Sequence, residues 1–388
     1  MAHNRTAPNH AGQDHAGQNR TGPALEAMDV SGRLSRLQAR LSELGCSGLL
    51  VTKLVNIEYL TGFTGSAGLL LVASDEALLL TDGRYRDQSA TEVAKARSPV
   101  RIEIARAVAQ LDVLDAAARG LGKLGLEADA VTWGAMRRLS AKLSGNPELV
   151  PVRHAVEALR AVKDPGELAR IERAADLADV ALAQVKELLA TSPTERELAL
   201  ALEVEMRGRG ADGISFETIV ASGPNSALPH GRPTERRIEP GDLVVVDFGA
   251  EVGGYRSDMT RTLCVGEPAT EELRNVLEAV LGAQRAGVRA LRAGVSGGEV
   301  DAVCRSFLEQ AGLADAFTHG TGHGVGLEIH EAPSLGAGSA DILEEGSVVT
   351  VEPGAYLMSR GGARIEDTLV VTAAGARPLT KSTKDSTC

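Results

Sequence analysis

Two acid-flanked turns constrain this 388-residue chain more than anything else in it. Asp247 and Asp258 bracket DFGAEVGGYRSD, Glu352 and Glu366 bracket EPGAYLMSRGGARIE, and His323 lies between the pairs in HGTGHGVGLEIHE. LVVVDFGA reads as a strand, Glu251–Gly254 as its turn and YRSDMTRTLCV as the returning strand. A four-residue loop at 251–254 pairs Ala250 with Tyr255 and, three steps on, Asp247 with Asp258. Directly opposed residues have Cβ atoms about 4.5–5.5 Å apart, where like charges destabilise. A cation between them reverses the sign of that interaction. The second pair has its midpoint at Ser359 in the polar turn MSRGG, which predicts a matching hairpin. Four carboxylates and one imidazole form a hard, oxygen-rich donor set. It suffices for two divalent metal ions with shared carboxylates about 3.5–4 Å apart. Any one of these acids alone is an ordinary solvated turn residue; the five in matching geometry point to metal.

VVVDFGAEVGGYRSDMTRT, HGTGHGVGLEIHE, VEPGAY and ARIEDT resemble the metal-site motifs of the prolidase and aminopeptidase P family of pita-bread metallopeptidases. TGFTGSAG and TDGRYRDQ resemble that family's amino-terminal domain, and the likeness runs from about residue 30 onward. The resemblance implies an α/β amino-terminal domain followed by an α+β pita-bread (creatinase/aminopeptidase-like) catalytic domain. It implies that Asp247, Asp258, His323, Glu352 and Glu366 hold two divalent metal ions, with Glu352 also accepting the proton. His230, His319 and His330 match non-ligand histidines that bind substrate and the tetrahedral intermediate, and His330 and Arg364 fall on the leaving-group side. For Arg364, two residues before Glu366 on one strand face, a structural ion pair to a ligand carboxylate weighs equally.

The implied activity is hydrolysis of Xaa-Pro bonds by metal-activated water, at the amino terminus of peptides or in dipeptides. Mn²⁺ is the expected metal, because oxygen ligands dominate and no thiolate is at hand; Co²⁺ and Zn²⁺ are the alternatives. A catalytically silent peptide-binding scaffold is the rival from another class, but it should have lost ligands, and none is substituted. A methionine-aminopeptidase-like enzyme should lack the substantial domain at 29–155. Creatinase shares the two-domain plan, yet its chemistry needs no metal.

The net charge of −11 opposes nucleic acid and anionic membrane as partners. Aromatic residues are only 3% of the chain, with a single Trp133, which leaves little for base stacking. Cys46, Cys264, Cys304 and Cys388 are scattered without a CxxC, as free thiols in a reducing cytosol would be. No apolar run approaches the ~20 residues of a membrane span, and the amino terminus lacks a signal-peptide h-region. The expectation is a cytoplasmic protein acting on small peptide substrates, and a homodimer.

Residues 1–28 repeat NRTAP as NRTGP and HAGQ twice, a polar composition that reads as a disordered tail. Its His3, His10 and His15 bind metal weakly at most, and Met28 offers an alternative translation start. Residues 29–155 alternate helix and strand patterns: a helix at 31–45, strands in GLLVTKL, AGLLLVA and ALLLTDG, helices in DVLDAAARGL and TWGAMRRLSAKL. This domain carries no catalytic cluster; it reads as a scaffold that walls one side of the active site and supports oligomerisation.

After a linker at 156–163, Asp164, Pro165 and Glu167 form a capping box that opens a catalytic domain spanning 164–380, followed by a tail at 381–388. The first helix carries an apolar stripe at Leu168, Ile171, Ala175, Ala178, Leu182, Val185 and Leu189. Thr194 and Glu197 start a second helix, FETIVASG is a strand, and helices follow at about 270–292 and 297–311. Glycines at 320, 322, 324 and 326 exclude a helix for the histidine stretch. His319 and His323 then lie ~13 Å apart in extended chain, so one binds metal while the other reaches along the cleft.

Overall fold

The structure, a computed structural model, describes residues 25–385. The repeats within 1–24, the three histidines there and Cys388 lie outside the described residues. Leu25–Met28, the end of the expected tail, run beside the start of the long helix of the second unit. Glu26 O accepts Arg170 Nη1 at 2.9 Å, and a Cβ on Gly166 would collide with the backbone of Ala27.

The first unit is a six-stranded mixed sheet of β1 (Gly48–Val51), β2 (Leu69–Ala73), β3 (Ala77–Thr81), β4 (Arg101–Ile104), β5 (Lys123–Glu127) and β6 (Glu148–Val152), in the order β4-β3-β2-β1-β5-β6. Helices α1 (Arg33–Arg40), α2 (Leu54–Thr61), α3 (Arg86–Ala96), α4 (Ala107–Ala117) and α5 (Trp133–Lys142) surround it. Its strands read as continuous apolar runs because both faces are covered, β1 and β3 being buried throughout. The expected helix at 31–45 is shorter, giving way to turns that end at Gly45, whose φ of 72° only glycine adopts readily. Asp82 accepts the Arg84 N–H at 3.0 Å, so TDGRY is a local turn device.

A short α6 (Glu157–Arg160) leads to the second unit, which opens with α7 (Pro165–Val185). The capping box is present: Asp164 accepts the Glu167 N–H at 2.8 Å and Glu167 accepts the Asp164 N–H at 2.9 Å. Of the apolar stripe, Ile171, Ala175, Ala178, Leu182, Val185 and Leu189 are buried. Then come α8 (Glu195–Gly208), β7 (Gly213–Ile214), β8 (Ile219–Ser222), β9 (Leu243–Phe248), β10 (Ala250–Val252), β11 (Tyr255–Arg256) and β12 (Met259–Cys264). After α9 (Glu271–Ala290) and α10 (Gly297–Gln310) follow β13 (Gly322–Gly324), β14 (Glu331–Leu335), β15 (Val348–Val351), β16 (Gly354–Leu357), β17 (Gly361–Arg364), β18 (Asp367–Thr372) and β19 (Gly375–Pro378). β12-β9-β8 and β14-β13-β15-β18-β19 are the main sheets, and β16-β17 is a separate hairpin. α8 packs on β8, α9 on the β16-β17 hairpin and α10 on β14, and residues of β8, β9, β13 and β14 line a common cleft. Beyond the last strand, Lys381 and Ser382 donate their N–H groups to Asp179 on α7 at 2.8 and 2.7 Å. Cys46, Cys264 and Cys304 are buried free thiols.

The two hairpins differ in how they met expectation. Around Ser359 the register is the expected one, Gly354 opposite Arg364 and Leu357 opposite Gly361, with Ser359 itself at φ 64°. Glu352 and Glu366 stand just beyond the paired residues. The first hairpin is shifted by two. Val252 pairs with Tyr255 and Asp247 with Thr260, not with Asp258. The turn is Gly253-Gly254 alone, both at positive φ (57° and 80°), the two-residue loop that matches strand twist. A one-residue slip would have turned the acids to opposite faces; a shift of two keeps Asp247 and Asp258 on one face as diagonal neighbours.

Candidate metal centre

β9, β12, β13, β15 and the β16-β17 hairpin bring the five predicted donors to one cleft. Asp247, Asp258 and Glu366 are buried, while His323 and Glu352 keep 16% and 17% of their side chains exposed to it. Ligand atoms of Asp258, His323 and Glu366 all lie within 4.8 Å of one another. His323 Nε2 is 3.2 Å from Glu352 Oε1 and 3.6 Å from Asp258 Oδ2. The other ring nitrogen, Nδ1, faces Gly324 O at 3.1 Å. A carbonyl only accepts, so Nδ1 carries a proton; Nε2 faces the carboxylates and, once it gives up its own proton, turns a lone pair on them.

The acids are held by neighbours. Thr260 ties the two hairpins: its hydroxyl donates to Glu366 Oε2 at 2.7 Å and accepts Arg364 Nε at 3.1 Å, and its carbonyl accepts the Glu366 N–H at 3.1 Å. Thr350 accepts the His323 N–H and donates to Glu352 Oε1. Arg364 is 3% exposed and sits behind Asp247. Its Nη2 donates to Asp247 Oδ2 at 2.6 Å and its Nη1 to Tyr356 Oη and Pro229 O at 2.8 and 3.0 Å. Four of its five N–H groups are spent on protein partners, among them the ion pair to a predicted ligand carboxylate that its place on the strand allowed.

Burial pushes the Asp258 and Glu366 carboxyls well above their ordinary range, and the negative charges of neighbouring acids push the same way. Burial also raises Asp247, against the pull of Arg364. Burial works upward on Glu352 as well, but the hydrogen bond and charge of His323 outweigh it and hold that group down at about 2. Two buried carboxylate oxygens, Asp247 Oδ1 and Glu366 Oε1, have no hydrogen-bond partner among the described residues. An orphaned buried acceptor costs about 1–3 kcal/mol, more when charged. Orphaned anionic oxygens beside a histidine lone pair are the donor set that a hard divalent cation satisfies, so the residues fit the group.

The other predicted histidines part company. His319 is committed on both nitrogens: Nδ1 to Gly320 O at 2.8 Å and Nε2 to Tyr356 Oη at 2.9 Å. Its loop is pinned by α10, where Asp301 accepts the Thr321 N–H and Arg305 donates to His319 O, each at 3.0 Å. His230 and His330 are exposed to the cleft, with no hydrogen-bond partner among the described residues; the His330 ring packs on His323 with centroids 4.2 Å apart. Tyr356, which links His319 to Arg364, escaped sequence reasoning. Its only mark was its place four residues after Glu352, in the VEPGAY stretch.

The cleft has a volume of about 1370 Å³ and is lined by all the predicted site residues together with Phe216, Thr218, Arg232 and others between Arg196 and Glu366. No lining residue comes from the first unit. The expected wall from 29–155 is therefore absent within this chain: that unit packs behind the His330 loop, where Lys53 reaches Glu328 at 2.6 Å.

Residues 169–373 match metallopeptidase family M24, and residues 33–162 match the creatinase/prolidase N-terminal domain. The Xaa-Pro dipeptidase of Pyrococcus furiosus is 36% identical over 354 residues, 91% of this chain and 99% of that protein. Among solved structures, the Xaa-Pro dipeptidase from Bacillus anthracis superposes with a TM-score of 0.86 at 39% identity, covering 91% of this chain and 98% of its own. The X-Pro aminopeptidase from Thermotoga maritima gives 0.80 at 34% identity, covering 89% and 99%. The two units are thus a creatinase-type N-terminal domain and a pita-bread catalytic domain. With matches of this extent, the chain belongs to metallopeptidase family M24.

Proposed function

We propose that this protein is an Xaa-Pro peptidase that frees the amino-terminal residue of proline-containing peptides. Asp247, Asp258, His323, Glu352 and Glu366 hold two divalent metal ions in this reading. The observation that carries it is the convergence of these five groups, with two orphaned carboxylate oxygens among them. Bound there, the ions supply Lewis acidity toward the scissile carbonyl and make water nucleophilic at neutral pH. The chain's own groups do the rest. Glu352, ionised at neutral pH, takes up the proton of the attacking water. His230 and His330, with free ring nitrogens in the cleft, donate hydrogen bonds to substrate and to the developing oxyanion. His319, through Tyr356, braces Arg364 and so Asp247. The proline requirement has a physical basis: an Xaa-Pro bond is a tertiary amide with no N–H to grip, so the ring must be held by shape.

Mn²⁺ is the proposed activating metal, since the donor set is oxygen-dominated. A homodimer in the cytoplasm completes the reading; no helix among the described residues is long and apolar enough to cross a membrane. The test is hydrolysis of Ala-Pro, Ala-Pro-Ala and Ala-Ala after chelation and add-back of Mn²⁺, Co²⁺ or Zn²⁺. Both proline peptides should be cut faster than Ala-Ala, with Mn²⁺ restoring the highest rate. Ala-Ala equalling them overturns the specificity, and restoration by Zn²⁺ alone overturns the metal.

A further inference from the structure

A line of enclosed polar groups runs from the N-terminal sheet to the residue that follows His330. Glu127, at the end of β5, accepts the Thr52 and Lys53 N–H groups at 2.6 and 2.8 Å and Asn56 Nδ2 at 2.8 Å. Asn56 is wholly buried on α2, and its Oδ1 accepts Arg160 Nη1 at 2.8 Å. Arg160, 2% exposed at the end of α6, pairs through Nη2 with Glu331 and with Glu328, the latter at 2.9 Å. Lys163, with no side-chain exposure, takes the other Glu331 oxygen at 2.8 Å.

Burying two cations and a carboxylate is a poor way to gain stability, since apolar groups of the same volume do as well or better. What such a cluster fixes is geometry, and the geometry at stake is the loop 326–331. Glu331 opens β14 and its carboxylate fills the inside of that loop: Oε2 faces the Glu328 N–H at 3.4 Å, and Oε1 lies 2.3 Å from where a Cβ on Gly326 would stand. The loop's other end is held by the Arg256 N–H on Gly326 O at 2.9 Å. His330, one residue before Glu331, is thereby set against His323.

We infer that Arg160 and Lys163 are positioning residues for His330, acting through Glu331, so that the linker, and through Asn56 the N-terminal domain behind it, governs turnover without reaching the cleft. The inference rests on the reading that His330 contacts substrate. A double-mutant cycle on the metal-loaded full chain tests it, with Arg160→Met, His330→Ala and both together, measured for kcat, KM, metal content and Tm. Arg160→Met should lower kcat/KM ~10–100-fold, the range for groups that orient a site residue from outside, at unchanged metal content. In the His330→Ala background the same change should cost less than about threefold, because coupled sites are non-additive. Arg160→Lys should recover part of the rate. An equal loss in both backgrounds, or an Arg160→Met enzyme of full activity, overturns the inference alone. A fully active His330→Ala overturns the role given to His330 and the inference with it. If Arg160→Met does not fold, Glu331→Gln replaces it in the same cycle with the same outcomes.

Discussion

At the scale of single residues, the centre depends on how buried charge is matched. Arg364 faces Asp247 across 2.6 Å while also holding Tyr356, Thr260 and Pro229. Removing one partner of a buried ion pair strands the other, at a cost of about 3–5 kcal/mol. Arg364→Met should therefore lower Tm and metal content together. Arg364→Lys keeps the charge but has no planar fork, so it cannot serve Asp247, Tyr356 and Thr260 at once. Its kcat/KM should stay roughly 10–100-fold below that of the parent; a lysine variant of full activity would show that charge alone is needed. The acids and histidines of the centre were legible in the sequence because metal chemistry restricts residue type and the flanking turns restrict spacing. Arg364 is half legible, because its place two residues before Glu366 fits an ion pair and a substrate contact alike. Tyr356 was not, since a tyrosine gains its role here only when residues 319 and 364 are folded to either side of it.

At the scale of elements, the two hairpins teach why register is harder to read than strand content. Ser359 sits at the centre of its hairpin because a three-residue turn is symmetric about the midpoint of the acids. The first hairpin moved by two because consecutive glycines accept positive φ and close the turn in two residues rather than four. The acids kept a common face, since the shift was even. The place where the shifted strands cross is tight. A Cβ on Gly249 would lie 1.9 Å from Ser257 O, immediately before Asp258. Backbone cannot rotate out of the way as a side chain does, so Gly249→Ala must open the ladder. The expected result is a loss of at least about 1–3 kcal/mol in chemical denaturation and a lowered metal content. An alanine variant with parental stability and stoichiometry would mean that the crossing has slack.

At the scale of the whole molecule, metal and protons compete for the same groups. Asp258 and Glu366 have folded-state pKa values raised well above their ordinary 3.8 and 4.5. An acid raised in this way contributes its stability when protonated, below the ordinary value, and loses it as pH rises through the folded value. The metal-free protein should thus weaken at these groups from acid toward neutral pH, while the metal-loaded one does not. The Tm difference between metal-loaded and chelated protein should widen with pH, with protons released on loading. Free metal at 100 times Kd adds about 2.7 kcal/mol. A difference that shrinks from pH 5 to pH 8 would contradict the assignment. Glu331 and Asp367 behave in the opposite sense. Burial raises both, but the cations at 163 and 160 and at 261 and 384 outweigh it and lower them. Their contribution is present above the ordinary carboxylate range and disappears as pH falls through the lowered folded values.

The confinement of the cleft lining to residues 196–366 bears on how such a protein can change over generations. Selection on the chemistry does not see the N-terminal domain's surface, so that domain can drift or be exchanged with a relative's while the peptidase survives. The exchange has one toll point. A grafted domain without Asn56 takes away the acceptor of Arg160 Nη1, one without Glu127 loosens Asn56, and one without Lys53 loses the pair with Glu328. Chimaeras between relatives should accordingly sort by the match at these three positions rather than by overall identity, and the mismatched ones should carry a full complement of metal yet turn over slowly.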